Sequence, residues 1–401
     1  MEKGKKYTKD GKLDFEGEYL NGKRNGYGKV YYDNGKIYYE GEFLNNEKNG
    51  YGKEYYMDGE LNFEGEFKNG SKWSGKIYDK NNNLVAELND GKGLIKDYHK
   101  DGQLLFEGEY FNGKVNGKGL EYYKDGKLKF EGEFKDGRRW NGKGYYMSNK
   151  IIYELKNGEG IVEEYDDNDN LMFKCEFKNG EKNGNGKEYN NGQLIFEGEY
   201  KNGKRNGKGK EYIKKYDICI LKFEGEYLNG VRYGKGKEYD DDGLKFEGEY
   251  LNGERNGKGK EYDENGDLRF DGYYLYFYKL RGKEYFGGRL EYEGEYLYGI
   301  KWEGKGYDED GNIIYELKNG NGKVKEYNEK GKLKFEGEYI NGKKNGKGKK
   351  YEDDKCIFYG KYLNGYRWEG IGIEIHYYKE KVEKIYELEY LDGITQKKYK
   401  L

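Results

Sequence analysis

The sequence predicts an all-β protein, an elongated single-layer antiparallel sheet that forms a solenoid-like meander of about 17 β-hairpin repeats. Two observations support this prediction. Segments of the FEGEY type recur along almost the whole chain at intervals of about 23 residues. The composition includes 67 Gly and 49 Tyr but no Pro. Because Pro cannot donate a hydrogen bond to a β-ladder, a chain made of continuous ladder excludes it.

One repeat, residues 106–129, contains each part of the hairpin. In its first strand, FEGEY, strict alternation places Phe106, Gly108 and Tyr110 on one face and the two Glu on the other. An Asn-Gly pair follows, then a strand rich in Lys and Tyr, then an Asp-Gly pair. Both dipeptides accept the positive φ that tight hairpin turns require, and Asn-Gly occurs more than twenty times in the chain. Each hairpin is therefore expected to pair with the next.

The two faces of the sheet should differ in chemistry. On the face that carries Phe and Tyr, Gly leaves room for an aromatic ring from a neighbouring strand to lie across the backbone. On the opposite face, Glu of one strand should lie beside Lys of the next, in cross-strand pairs that explain a net charge of only -2.

The composition also restricts location and partners. A charged fraction of 38% is typical of disorder, but an aromatic content of 18% indicates a core built from Tyr and Phe. The balanced charge excludes a general attraction to nucleic acid or acidic membranes but is compatible with a local basic strip. The N-terminal segment has no apolar region of the kind that a signal peptide needs and no apolar stretch is long enough to span a membrane, so we expect neither element. Cys175, Cys219 and Cys356 have the scattered spacing of free thiols, so we expect a cytoplasmic protein, including one peripheral to a membrane or cytoskeletal structure.

The segments GEYLNGKRNGYG (17–28), GEYKNGKRNGKG (198–209) and GEYLNGERNGKG (248–259) resemble MORN repeats, the membrane occupation and recognition nexus family. The longer stretches of the EYY-x-D/N-G-K-L type are similar to the MORN-variant repeat. The resemblance covers roughly residues 10–370. It implies an elongated single-layer sheet, often dimeric, that serves as a non-catalytic scaffold for association with proteins or membranes.

The domain organisation that we predict is a repeat array over residues 1–370, with an irregular unit at 270–291, and a capping segment at 371–401. In the irregular unit, Tyr276 and Phe277 replace the Asn-Gly turn, which indicates either a locally repacked bend or an exposed contact patch. The four tryptophans share one inserted position after a Lys or Arg. They either fill a gap beside a short unit or form a spaced set of docking rings: Trp73, Trp140, Trp302 and Trp368.

No pattern in the chain predicts catalysis, a metal, a cofactor or a small-molecule substrate. His99 and His376 lie in unrelated units, and the Glu pairs recur too regularly to be catalytic. The Gly-x-Gly steps lack the strand-to-helix context of a dinucleotide site. We therefore expect a scaffold that binds a protein partner or itself.

Two alternatives remain, namely association with an anionic, phosphoinositide-type membrane surface and glycan binding by the aromatic hairpins. In a meander, turns of one kind emerge along one edge, and the two kinds here differ in charge. This predicts an acidic edge, with turns such as 262–266, and opposite it a basic edge. That basic edge is either a solvated rim or a docking site for acidic partners or anionic headgroups, and it includes Lys204, Arg205, Lys208, Arg255, Lys258, Lys343, Lys344 and Lys347.

Overall fold

The structure is a computed structural model that describes residues 2–146, 150–215, 218–328, 332–352, 354–378 and 381–400. Over these residues it consists of 35 antiparallel strands and contains no helix, so the predicted all-β meander is confirmed. No helix in the described part of the chain could therefore span a membrane. The chain divides into two compact units, Met1–Arg205 and Asn206–Leu401.

The first unit contains the strands up to β18, which pair in chain order within each sheet. Their bounds are β1 Glu2–Tyr7, β2 Leu13–Leu20, β3 Lys23–Tyr31, β4 Ile37–Leu44, β5 Glu47–Tyr55, β6 Leu61–Lys68, β7 Ser71–Tyr78, β8 Leu84–Leu88, β9 Gly93–Tyr98, β10 Leu104–Phe111, β11 Lys114–Tyr122, β12 Leu128–Lys135, β13 Arg138–Tyr145, β14 Ile151–Leu155, β15 Gly160–Tyr165, β16 Leu171–Lys178, β17 Glu181–Asn190 and β18 Gln193–Lys201.

Strand β19 begins at the boundary, and its pairing with β20 belongs to the second unit, where chain order is again the pairing order. The bounds are β19 Lys204–Lys215, β20 Ile218–Leu228, β21 Val231–Asp240, β22 Gly243–Leu251, β23 Glu254–Tyr262, β24 Leu268–Leu275, β25 Tyr278–Phe286, β26 Arg289–Leu297, β27 Ile300–Tyr307, β28 Ile313–Leu317, β29 Gly322–Tyr327, β30 Leu333–Ile340, β31 Lys343–Glu352, β32 Lys355–Leu363, β33 Tyr366–Tyr378, β34 Lys381–Leu391 and β35 Ile394–Lys400. The capping segment at 371–401 stays a prediction.

Within each repeat, the two Asn-Gly pairs have different roles. In the first pair, Asn252 and Gly253 have φ of 53° and 90° and connect β22 to β23, as in a two-residue hairpin turn. The second pair lies inside β23, where Gly257 has φ of 103° and the register with β22 shifts. That shift is a β-bulge, and Gly257 supplies the positive φ at it. The sequence pattern did not reveal this bulge.

Glycines form a row across the sheet, one from most of the longer strands, with successive members directly opposite one another; in β16, Cys175 occupies this position. In the second unit this row includes Gly209, Gly225, Gly236, Gly248, Gly259, Gly272, Gly282, Gly294 and Gly304. The Phe ring of one strand lies over the row glycine of the next strand. A Cβ built on Gly236 of β21, for example, would lie 2.5 Å from Cζ of Phe223 in β20. The prediction that rings lie over glycine backbone holds, but each ring also covers a glycine of its own strand.

The hydrogen-bonded ladder is interrupted at the short strands, which the sequence did not predict. One hydrogen-bonded sheet ends at β8, at β14 and at β28, and a new sheet begins with the following strand. Within the described residues, only an isolated bridge, such as Asn89–Lys92, lies between the two strands at each of these places. At these places the glycine row is replaced by buried aliphatic pairs. The pairs are Leu88 with Ile95, Leu155 with Val162, and Leu317 with Val324. Larger side chains fill the space where the two strands do not pair.

Candidate functional site

The face that carries the Phe rings, hereafter the aromatic face, also holds a row of cations. The guanidinium of Arg255 lies 4.1 Å from the ring centroid of Phe246 and forms an ion pair of 2.9 Å with Glu261. It forms a second ion pair with Glu238, which also accepts a 2.8 Å hydrogen bond from the Tyr250 hydroxyl. Burial acts to raise the pKa of Glu238, but Arg255, Tyr250 and Arg232 together outweigh it and the pKa is lowered.

This geometry divides the predicted basic edge into two groups. Arg205, Arg255 and Lys344 belong to the aromatic face, where each covers a Phe ring at 4.0, 4.1 and 4.2 Å. They are half-buried and ion-paired, so they contribute to the fold. The exposed members of the predicted set are Lys204, Lys208, Lys258, Lys343 and Lys347. The sequence did not separate the groups because the bulge changes the alternation of side chains.

The opposite face, hereafter the outer face, carries Glu and Lys with specific partners. Glu247 accepts a 2.7 Å hydrogen bond from the hydroxyl of Tyr262. The second Glu of the same strand, Glu249, folds over the bulge and accepts a 2.9 Å hydrogen bond from the backbone N–H of Lys258. Cross-strand ion pairs such as Lys29 with Glu40, at 3.3 Å, complete the pattern. Most of the charge on this face therefore stabilises the sheet locally.

The predicted aromatic contact patch is exposed. Tyr276 and Phe277 form the turn between β24 and β25 and are 55% and 52% exposed. The next turn of this edge begins with Tyr298, which is 76% exposed and lies edge-on to the ring of Tyr278 at 6.0 Å. Leu275 is also exposed in the strand that precedes the first turn. We call Leu275, Tyr276, Phe277, Tyr278, Leu297 and Tyr298 the aromatic turns.

Backbone strain accompanies this exposure. Tyr276, Phe277 and Tyr298 have φ of 46°, 71° and 50°, a region that bulky residues rarely occupy. At the equivalent turns Asn or Asp occupies the first position, and the second is Gly or, in one turn, Asn46. Each bulky residue in this conformation costs about 1–2 kcal/mol. The chain thus keeps three strained rings in water, where two Asn-Gly turns would be more stable.

The four tryptophans are half-buried and occupy equivalent positions, three of them beside the interruptions of the ladder. The Trp302 carbonyl accepts a 2.6 Å hydrogen bond from the N–H of Gly320, the turn residue between β28 and β29. Its ring covers the same glycine, and Trp73 and Trp140 repeat this contact with Gly91 and Gly158, while Trp368 contacts the turn glycine Gly393. These contacts favour a role in filling gaps, whereas the docking role stays a prediction.

A groove of about 950 Å³ runs across the outer face of β9 to β13 in the first unit. Its floor is the glycine row, including Gly108, Gly119 and Gly132. Its walls combine apolar and charged side chains, among them Leu94, Leu120, Lys96, Lys118, Glu131 and Glu133. The groove has the dimensions of a ligand site. Its charged walls are partly neutralised internally, since Lys96 pairs with Glu107 at 3.2 Å.

In the described part of the chain, no group of three or more His, Cys, Asp or Glu side chains could hold a metal ion. The thiols of Cys175, Cys219 and Cys356 are free. Burial raises the pKa of the Cys175 thiol to about 11, which makes that thiol a poor nucleophile.

The chain is a sheet of repeated hairpins that differ mainly in their turns. Comparison with known proteins also identifies repeats along the chain. The MORN repeat model matches residues 15–37, 39–60, 176–193, 196–217, 223–245, 246–268 and 335–353. The MORN repeat variant model matches 92–112, 115–136, 158–179 and 320–341. Together these matches cover more than half of the chain, which therefore belongs to the MORN repeat family.

No curated protein matches the sequence. Among solved structures, one that is similar is the Photorhabdus luminescens Tc holotoxin pore, at 11% identity and a TM-score of 0.16. That match covers 99% of this chain and 23% of the other, so this chain spans about a quarter of the length of the protein it matches.

Proposed function

We propose that this protein is a non-catalytic repeat scaffold that binds a protein partner, or a second copy of itself, through the aromatic turns. The observation that carries the proposal is the combination of exposure and strain at Tyr276, Phe277 and Tyr298. Backbone strain retained at an exposed site points to a function, because selection for stability alone removes it. The three free thiols favour a cytoplasmic setting for this scaffold.

Comparison with the neighbouring turns strengthens this argument. The turns at Asn252 and Asn341 in the same unit have the ordinary Asn-Gly chemistry, so an Asn-Gly turn is compatible with this sheet. A repacked bend would bury the rings to compensate for the strain, yet Tyr276 and Phe277 remain more than half exposed. Clustered exposed aromatic residues are the composition that interface centres favour.

The test is the double variant Tyr276→Asn with Phe277→Gly. We expect the free energy of unfolding in urea to rise by about 1–3 kcal/mol, because the strain at two residues is relieved and the greater unfolded-chain entropy of the introduced glycine offsets about 1 kcal/mol of that gain. Self-association in sedimentation velocity, or retention of a partner by the immobilised chain, should decrease at least tenfold. The control is Tyr27→Asn, which removes a ring that is 52% exposed in the first unit and should change neither binding measurement.

Opposite results distinguish the two interpretations of this turn. A double variant that is less stable and binds as well as the wild type would show that the rings are structural, and it would refute the proposal.

A second candidate function, association with an anionic membrane surface, is favoured by one further observation. Ile340, which precedes an Asn-Gly turn, is 45% exposed and directly opposite the exposed Lys343. Leu20 and Lys23 repeat this arrangement in the first unit. Apolar side chains beside lysines are suited to the headgroup region of an anionic bilayer. Flotation with phosphoinositide-containing vesicles tests it, and binding that is unchanged when Lys343 and Lys347 are replaced by Glu would refute it.

A further inference from the structure

Three carboxylates that form no ion pair within the described residues border the aromatic turns. On the outer face, Glu295 of β26 lies directly opposite Glu303 of β27. On the other side, Glu254 immediately precedes Arg255, whose carbonyl accepts a 3.0 Å hydrogen bond from the N–H of Phe277. Within the described part of the chain, no basic side chain forms an ion pair with any of these three carboxylates. The aromatic turns therefore lie between acidic groups on both sides.

In the other tryptophan-bearing hairpins, the carboxylate at the equivalent position does not face a second carboxylate. Asn141 donates a 2.7 Å hydrogen bond to Glu133, and Lys361 forms a 2.7 Å ion pair with Glu369. Glu66 lies opposite an uncharged serine. In this hairpin two carboxylates face each other, an arrangement that destabilises a sheet. Arg281 of β25 is the cross-strand neighbour of Glu295 on its other side, but its guanidinium lies over the ring of Tyr273 at 4.8 Å, and in the described residues the two side chains form no ion pair.

We propose that the aromatic turns, together with Glu254, Glu295 and Glu303, bind an arginine- or lysine-rich segment of a partner protein. This inference rests on the proposed function and specifies the chemistry of the partner. A cation is attracted to the face of an aromatic ring, and this chain already uses that contact, for example where Lys68 lies 4.3 Å from the ring of Trp73. The carboxylates would then pair with the other cations of the segment.

The same charges argue against an anionic membrane at this place. Headgroups that carry phosphate would meet three carboxylates with no cation paired to them, and like charges in close contact repel. A basic segment instead neutralises the Glu295 and Glu303 pair and covers the exposed rings. Because several of these contacts are exposed, salt should weaken the binding.

The test uses the full chain and a labelled peptide in which arginine alternates with serine, with binding followed by fluorescence anisotropy. Matched peptides carry citrulline or glutamate in place of arginine. We expect the arginine peptide to bind at least tenfold more tightly than the citrulline peptide, and the glutamate peptide not to bind. The variant Glu295→Gln with Glu303→Gln should weaken arginine-peptide binding about fivefold to tenfold. The control Glu264→Gln with Asp310→Asn, both exposed in turns of the opposite edge, should not change it.

Failure of this inference is distinguishable from failure of the proposed function. Equal affinity for the arginine and citrulline peptides, both lost in Tyr276→Asn with Phe277→Gly, would overturn the basic partner and support the aromatic contact. Arginine-peptide binding that survives that double variant would overturn both proposals. Phosphatidylserine vesicles that bind through Tyr276 and Phe277, with no peptide binding, would overturn the basic partner in favour of a membrane.

Discussion

The glycine row makes a quantitative prediction at Gly236. This residue lies opposite Gly225 and Gly248, and a Cβ added to it would lie 2.5 and 2.6 Å from two carbons of the Phe223 ring. Phe223 is fully buried, so the ring cannot move into solvent. Overpacking of this kind costs about 1–3 kcal/mol, whereas the smaller entropy of the unfolded alanine variant recovers up to about 1 kcal/mol. We expect Gly236→Ala to lower the free energy of unfolding by about 1–2 kcal/mol.

A double-mutant cycle identifies the ring as the cause. In the Phe223→Leu background the smaller side chain leaves room for a methyl group, so Gly236→Ala should cost about 1 kcal/mol less than in the wild type. The comparison variant is Gly266→Ala. A Cβ added there would have no atom beyond the adjacent residues within 4 Å, and φ of Gly266 is +82°. Its cost comes from the backbone and should be the same in both backgrounds. Urea titration measures all of these values. An equal cost for Gly236→Ala in both backgrounds would refute the packing of the ring on glycine.

Three further predictions concern charge and the interruptions of the ladder. Arg139→Met should lower the free energy of unfolding in urea by about 3 kcal/mol, because it removes a cation paired with the buried Glu164. Burial acts to raise the pKa of Glu164, but Arg139 and Lys129 outweigh it. The pKa is lowered by folding, so this stabilisation is present above pH 4.5 and lost as pH falls below it, which urea titrations at successive pH values would show. Trp302→Ala should accelerate hydrogen exchange in β28 and β29, and unchanged exchange there would contradict its role in filling the gap.

Much of the fold could be predicted from the sequence because the repeat presents the same pattern many times. The alternation in FEGEY assigns Phe and Tyr to one face, and the first Asn-Gly pair locates each turn. The bulge at the second pair was missed, since Asn-Gly alone does not distinguish a turn from a bulge. The bulge changes which residues share a face, and this places Arg255 over Phe246 and not along an exposed edge.

The candidate site was predictable only in part. The replacement of Asn-Gly by Tyr276 and Phe277 was visible in the sequence, and the structure adds that both residues are strained and exposed. The facing carboxylates of Glu295 and Glu303 required the cross-strand register, because these residues belong to different strands. The aliphatic pair Leu317 and Val324 could have been noticed, since it replaces glycine in the short units.

The glycine row also determines how this protein can change in length. Most full hairpins present to their neighbours the same ring-over-glycine contact that they receive, so a duplicate of such a hairpin brings a matching surface on both sides. Whole hairpins can therefore be gained or lost between two interruptions without creating a mismatched neighbour. An insertion of one residue into a strand would instead transfer Phe to the outer face and Glu into the aromatic face. We therefore expect recombination in units of one such hairpin to be tolerated, because it leaves the core contacts unchanged.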